Sequence, residues 1–139
     1  QNSSGLKMAS RVGLRNPAHS SAVGKVLLAH FPEEELKNFI KEKGLAKRTE
    51  NTIIDPTQLK DHLKFVRAQG YAIDDEENEK GIRCVAAPIY NEVGKTVAAI
   101  SISGPAFRIT KKVIQEFLKK EVMETALKVS QRLGFRDKR

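Results

Sequence analysis

Two runs of β-forming residues stand near the middle of the chain: Ile82-Arg83-Cys84-Val85-Ala86-Ala87-Pro88-Ile89-Tyr90 and Thr96-Val97-Ala98-Ala99-Ile100-Ser101-Ile102-Ser103. In both, the side chains follow the period of two that is typical of strands. Residues 91–95 between them contain Gly94, which is typical of a hairpin turn. With residues 71–74 as a further strand, these runs predict an antiparallel meander.

Helical periodicity predicts four helices around the meander. The predicted helices run from about Ala18 to His30 with Ser20 or Ser21 as N-cap, from Pro32 to Gly44, from Asp55 to Gly70, and from Thr110 to Gly134. Residues 6–14 read as one more strand, and residues 45–54 as an irregular connection. The pattern predicts an α+β fold, an antiparallel sheet with helices packed on it.

The composition limits the class of protein. A chain of 139 residues with 40% hydrophobic residues fits one compact domain. Cys84 is the only cysteine, which excludes an intramolecular disulfide and favours a reducing compartment. No apolar run has the ~18–20 residues of a membrane helix. Because the sequence starts at Gln1 without a methionine, we expect a piece of a longer polypeptide.

Several short motifs predict no chemistry. Gly24-Lys25 and Gly94-Lys95 lack the spacing of a phosphate loop, so we interpret Lys25 as a solvated or capping residue. The acidic run of residues 74–79 lacks the ligand spacing of a calcium loop and is interpreted as solvated. A nucleophilic Cys84 with His19 as base is an alternative, against the simpler interpretation of Cys84 as a core residue.

A pair of serines stands out in the last predicted strand. Ser101 and Ser103 lie on one face by the period of two, although serine is a poor strand former. If the hairpin turn is the two-residue Val93-Gly94 version, Cys84 lies opposite Ser103 and Ala86 opposite Ser101. Two hydroxyl groups in register indicate either a solvated face or a polar pocket.

The start of the first helix offers a second polar feature. The N–H groups around Ala22 and Val23 lack intrahelical partners and lie at the positive end of the helix dipole, which favours carboxylates. With the strand hydroxyls, they predict a cup for a small organic acid, walled by Leu6, Met8 and Ile82. The alternative is a capped helix beside a solvated sheet face.

Five segments together resemble one family. They are His19-Ser20-Ser21-Ala22-Val23-Gly24-Lys25-Val26-Leu27-Leu28-Ala29, Thr49 to Pro56, Arg67 to Asn78, Gly81 to Ile89, and Ala99 to Pro105. In this order and spacing they closely resemble the effector-binding domain of IclR-type bacterial transcription regulators, over about residues 6–134.

The resemblance implies a GAF-like fold with a metabolite pocket on one side of the sheet. The residues that match the family's pocket are Ala22, Val23, Asp74, Cys84, Ser101 and Ser103, with apolar walls at Leu6, Met8 and Ile82. Ala22 stands where several members carry glycine, which narrows the expected pocket. The resemblance also implies that residues 1–139 are a single effector domain, truncated at its first strands and without the family's winged helix-turn-helix domain.

We therefore expect a cytoplasmic, ligand-sensing domain with no catalysis and no cofactor. Its expected partners are a small organic acid, further copies of the chain as a dimer or tetramer, and DNA only through the domain upstream. A membrane is not an expected partner. An enzyme with Cys84 as nucleophile and a pure oligomerisation module remain as alternatives.

Overall fold

The computed structural model of the chain describes residues 17–136. The helices are α1 (Ala22–Ala29), α2 (Glu33–Lys43), α3 (Pro56–Gln69), α4 (Lys111–Val113) and α5 (Lys119–Arg132), and a π-helical turn, Ile114–Leu118, joins the last two. The strands are β1 (Ala72–Asp75), β2 (Ile82–Tyr90) and β3 (Thr96–Pro105). The predicted α+β class is confirmed, whereas the predicted strand over residues 6–14 lies outside the described residues.

The helix ends follow the expected capping chemistry. Ser21, Asp55 and Thr110 are N-caps whose side chains accept from the backbone N–H three residues later. Gly70 ends α3 in the left-handed region with φ +88, where a side chain would be strained. The last helix is predicted without interruption, and its π-helical turn had no signal in the apolar periodicity.

The three strands form one antiparallel sheet in the order β1-β2-β3. Cys84 pairs with Ser103 and Ala86 with Ser101, which confirms the predicted register. The predicted turn over residues 91–95 is confirmed, and the two-residue Val93-Gly94 version does not form. The ladder ends at Tyr90 and Thr96, and the side chain of Asn91 accepts from the N–H groups of Val93 and Lys95.

Two irregularities cancel in this hairpin. The turn takes up residues 91–95 instead of two residues, and a bulge lies where the register shifts beside Ile89 and Tyr90. The bulge restores the pairing that the shorter turn would have produced. The predicted pairs in the body of the ladder are therefore correct, although the two-residue turn from which they were worked out does not form.

Helices cover both faces of the sheet. One face packs against α1 and α3 through Ala72, Ala86 and Ala99. The other packs against α5 and the π-helical turn through Val85, Ile89 and Ala98. We call the first the polar face, because Asp74, Ile82, Cys84, Ser101 and Ser103 lie on it, and the second the apolar face. None of the helices within residues 17–136 has the length and apolar character to cross a membrane.

Candidate functional site

Most of the predicted site residues lie together on the polar face. The register aligns Asp74, Cys84 and Ser103 in one row across the three strands. Ser101 and Ile82 occupy neighbouring rows on the same face, since side chains alternate along a strand. Asp74 is buried, Cys84 is half-buried, and both serines are exposed on the edge strand β3.

The first turn of α1 forms the wall above this face. Ala22 is buried and Val23 is half-buried in the cluster that also contacts Cys84. Ser21 Oγ accepts from the N–H of Gly24 at 3.0 Å. Within residues 17–136, no acceptor is found for the N–H groups of Ala22 and Val23. Leu6 and Met8 lie outside the described residues.

Gly24 has a packing role. A Cβ added to it would lie 2.3 Å from the carbonyl oxygen of Ala18, closer than any real contact. The glycine therefore lets α1 approach the turn that precedes it. This close approach accounts for the Gly24-Lys25 pair without any phosphate chemistry.

Asp74 is held by the turn that follows β1. Its Oδ1 accepts from the N–H of Glu77 at 2.7 Å and from that of Asn78 at 3.3 Å. Burial raises the pKa of Asp74 to about 6, and the nearby Glu77 carboxylate also raises it, against the lowering effect of the two N–H groups and of Lys25. The carboxyl group is therefore partly protonated near neutral pH.

The interpretation of Lys25 as solvated or capping was wrong. Its side chain is fully buried, and its ammonium group lies 2.7 Å from Glu77 Oε1. It also donates to the carbonyl of Ile73 and lies 3.1 Å from His62 Nε2. The sequence could have predicted this burial, because Lys25 lies on the apolar side of α1, one turn after Ala22.

The interpretation of the acidic run as solvated was wrong for Asp74 and Glu77, two of its five acidic residues. We call residues 74–79 the acidic turn. Asp74 and Glu77 point inward and are buried, whereas Asp75 and Glu76 both pair with Arg83 at the surface. The hydroxyl of Thr52 donates to the carbonyl of Glu77 at 2.7 Å, so the connection before α3 also contacts this turn.

Cys84 is poorly suited to act as a nucleophile. Burial raises the pKa of its thiol to about 11, and the charge of Asp74 adds to this, while a hydrogen bond from Ser101 lowers it. Thiolate is therefore scarce at neutral pH. His19, the expected base, is buried and places Nε2 2.8 Å from the carbonyl of Ala46.

A polar cleft opens beside the acidic turn. Its volume is about 570 Å³, and it is lined by residues 47–51 and by Glu76, Asn78, Glu79 and Lys80. None of the predicted site residues lines it. Over residues 17–136, no group of three or more His, Cys, Asp or Glu side chains is placed to hold a metal ion.

Comparison with known proteins agrees with this geometry. The family model described as bacterial transcriptional regulator IclR C-terminal matches residues 1–131. The transcriptional regulator KdgR of Escherichia coli K12 is 40% identical over 133 residues, 95% of this chain and 50% of KdgR. The repressor AllR of Klebsiella pneumoniae is 44% identical over 133 residues, 94% of this chain and 48% of AllR.

Solved structures show the same fold. The C-terminal domain of E. coli KdgR superposes with a TM-score of 0.78 at 38% identity, over 86% of this chain and 73% of that one. The inducer-binding domain of PobR from Acinetobacter, a double mutant in complex with 3-hydroxybenzoic acid, gives 0.79 at 30% identity, over 82% and 65%.

The chain spans about half the length of the KdgR and AllR proteins that it matches. These relatives are named as transcriptional regulators and repressors. The match over residues 1–131, the shared identity and the common fold lead to one conclusion: this chain belongs to the family of bacterial transcriptional regulator IclR C-terminal domains.

Proposed function

We propose that residues 1–139 act as a single effector-binding domain, which binds a small organic acid and so modulates DNA binding by the intact regulator. The observation that carries this proposal is the polar face. Asp74, Cys84 and Ser103 stand in one row beneath the first turn of α1. A sheet face with this chemistry suits a polar ligand better than it suits core packing.

Each wall of the site has a part in holding the acid. The N–H groups of Ala22 and Val23 receive the carboxylate, because a helix N-terminus favours anions. Ser101 and Ser103 donate hydrogen bonds from the edge strand. Asp74 accepts from a hydroxyl or hydrate of the ligand, and Cys84 lines the pocket.

The apolar walls complete the proposed pocket. They comprise Ile82, which shares the polar face, together with Leu6 and Met8 from the N-terminal segment. The complex of the PobR inducer-binding domain with 3-hydroxybenzoic acid supports a small organic acid as the class of ligand.

The domain has no catalytic step in this proposal. The raised pKa of the Cys84 thiol, about 11, and the bond of His19 to Ala46 both disfavour a nucleophile and base pair. The domain needs no cofactor. It works in the cytoplasm as a dimer or tetramer, and DNA is bound by a domain outside this sequence.

Binding changes DNA affinity through the arrangement of subunits. An effector shifts the balance between two arrangements only by its difference in affinity for them. The sign of regulation follows from which arrangement the acid favours.

A thermal-shift screen of the chain tests this proposal. The probes are glyoxylate and pyruvate as 2-oxo acids, gluconate as a sugar acid, and 3-hydroxybenzoate as an aromatic acid. Binding to the folded state alone stabilises it by about 2.7 kcal/mol at a hundredfold excess over Kd, which raises Tm by several degrees. The expected result is a concentration-dependent rise with at least one acid.

Two variants separate the site from general effects. Ser103→Ala removes a proposed ligand donor, so the rise in Tm should shrink or vanish. Thr125→Ala removes an exposed hydroxyl from α5, across the sheet, and should leave the rise unchanged. A rise that survives Ser103→Ala unchanged contradicts the assigned pocket, and no rise with any acid in a folded chain favours the oligomerisation module.

A further inference from the structure

Lys25 and Glu77 form an ion pair between two walls of the proposed pocket. Lys25 lies on α1 and Glu77 in the acidic turn, so the pair joins elements that are far apart in the sequence. The ammonium group is fully buried and lies 2.7 Å from Glu77 Oε1. Neither side chain has a part in the proposed binding chemistry.

The ammonium group of Lys25 has a matched partner for each of its three donors. They are Glu77 Oε1, the carbonyl oxygen of Ile73 and Nε2 of His62. Burial, followed by the charge of Lys25, lowers the pKa of His62 to about 4. The imidazole is therefore neutral at physiological pH and its Nε2 accepts the hydrogen bond.

Glu77 links the buried Lys25 ammonium group to Asp74. Its Oε2 accepts from the N–H of Asp75 at 3.0 Å, and its own N–H donates to Asp74 Oδ1 at 2.7 Å. The side chain of Glu77 thus faces Lys25 while its backbone holds the Asp74 carboxylate. A shift of Glu77 would move Asp74 with it.

Buried ion pairs are a poor source of stability. The cost of removing two charges from water often equals or exceeds their attraction, and well-packed apolar replacements are often as stable. A pair that adds little stability but has strict geometry fits a role in positioning. We call the Lys25–Glu77 ion pair the tether. Lys25 lies one helical turn after Ala22, so the tether acts directly on the wall that carries the Ala22 and Val23 N–H groups.

We propose that Lys25 and Glu77 are positioning residues, which set the separation between the first turn of α1 and the Asp74 carboxyl group and thereby select the size of acid that fits. This inference rests on the proposed function, because the first turn of α1 and the acidic turn are walls of the pocket proposed there. The residues do not contact the acid themselves.

Two variants and one control test the tether. Lys25→Met combined with Glu77→Gln removes both charges and leaves no unpaired buried charge, so the chain should fold. Glu77→Gln alone leaves the Lys25 ammonium group buried without its counter-charge, so it should lose stability that the double variant keeps. Lys111→Met breaks the exposed Lys111–Asp75 pair, 3.2 Å long, in the same acidic turn, and serves as the matched control.

The first measurement is amide hydrogen exchange by NMR, without any ligand. In the double variant, the N–H groups of Glu77 and Asn78 should exchange about tenfold faster or more, and their proton signals should move upfield as the bonds to Asp74 weaken. The Val85 amide should keep its protection, which shows that the sheet is intact. Lys111→Met should change none of these signals.

The second measurement is the ratio of Kd values for pyruvate and 3-hydroxybenzoate, a short and a long acid. A purely structural role would weaken both alike, whereas a change in wall separation alters the ratio, here by about tenfold. An unchanged ratio in the double variant overturns the selection of size, and unchanged exchange overturns the tether.

These results are distinct from a failure of the proposed function. Binding of neither acid by the original chain would contradict the proposed function for these probes. The exchange measurement needs no ligand, and it decides whether the tether holds Asp74 in that case as well.

Discussion

The two faces of the sheet differ in the interactions that stabilise them. On the apolar face, Val85, Ile89 and Ile114 are fully buried between the strands and the last helix. On the polar face, small alanine side chains pack under α1, and the row of Asp74, Cys84 and Ser103 runs out to an exposed strand edge. The apolar face has few polar groups to satisfy, whereas the polar face depends on hydrogen bonds and one buried ion pair.

The two faces differ in whether their residues mainly stabilise the fold or mainly supply polar groups for binding. Apolar burial contributes about 25 cal/mol per Å² without directional demands, so the apolar face can carry most of the folding free energy. Buried polar groups contribute little net stability but are costly when left unpaired. Variants on the two faces should therefore differ in which property they change.

Lys25→Met alone should have the largest effect of any single change on the polar face. It leaves the Glu77 carboxylate buried and unpaired, at a cost of about 3–5 kcal/mol in the free energy of unfolding. Urea denaturation measures this loss, and adding Glu77→Gln should recover most of it. A loss below about 1 kcal/mol would mean that the Glu77 side chain rotates into solvent in the variant. The buried ion pair would then not be needed to hold the polar face.

Ile89→Ala should have the next largest effect, on the apolar face. Ile89 is fully buried, and truncation should cost about 2–5 kcal/mol through lost burial and the cavity left behind. Ile54→Ala, at a side chain 50% exposed, is the control and should stay within about 0.5 kcal/mol. Folded Ile89→Ala protein should bind an acid as the original chain does, and weaker binding at equal folded fraction would contradict the division between the faces.

Asp74→Asn should change how stability depends on pH. The pKa of Asp74 is raised by burial to about 6, so the folded state binds its proton more tightly than the unfolded state does. Folding takes up a proton between about pH 4 and pH 6, and stability therefore falls as pH rises through this window. Asparagine keeps the Oδ1 acceptor but carries no charge, so this fall should be absent.

The comparison is made by urea denaturation near pH 4 and near pH 7. Relative to the original chain, Asp74→Asn should be more stable at the higher pH than at the lower by about 1–3 kcal/mol. An equal difference at both values would show that Asp74 titrates in the folded chain as it does in water.

Local signals in the sequence were sufficient for the framework of the fold. The sequence offered Ser20 or Ser21 as the first N-cap and began two further helices at Asp55 and Thr110, and the caps found are Ser21, Asp55 and Thr110. These starts were predictable because capping depends on residues only three positions apart. The pairing of Cys84 with Ser103 was correct because the period of two and the hairpin connection restrict the register. In that hairpin, a bulge compensated for the longer turn, which no local pattern indicated.

The buried charges could not be predicted in the same way. Lys25 and Glu77 are 52 positions apart, so their pairing depends on how α1 packs on the sheet. A lysine on an apolar helix face and an acidic run are each common on solvated surfaces. Only their meeting in the fold shows that both are buried. The set of Ala22, Val23, Asp74, Cys84, Ser101, Ser103, Leu6, Met8 and Ile82 stays a prediction as a binding site.

Ser101→Ala should have the smallest effect on stability and the clearest effect on binding. Ser101 is exposed, so truncation should change the free energy of unfolding by no more than about 0.5 kcal/mol. Loss of one ligand hydrogen bond should weaken binding of an acid by about tenfold, since such a bond contributes about 1 kcal/mol or more. Isothermal titration with the acid that raises Tm, set beside urea denaturation, measures both. Equal losses in stability and affinity would show that Ser101 stabilises the strand and does not bind the ligand. The polar face would then contribute to folding stability, as the apolar face does.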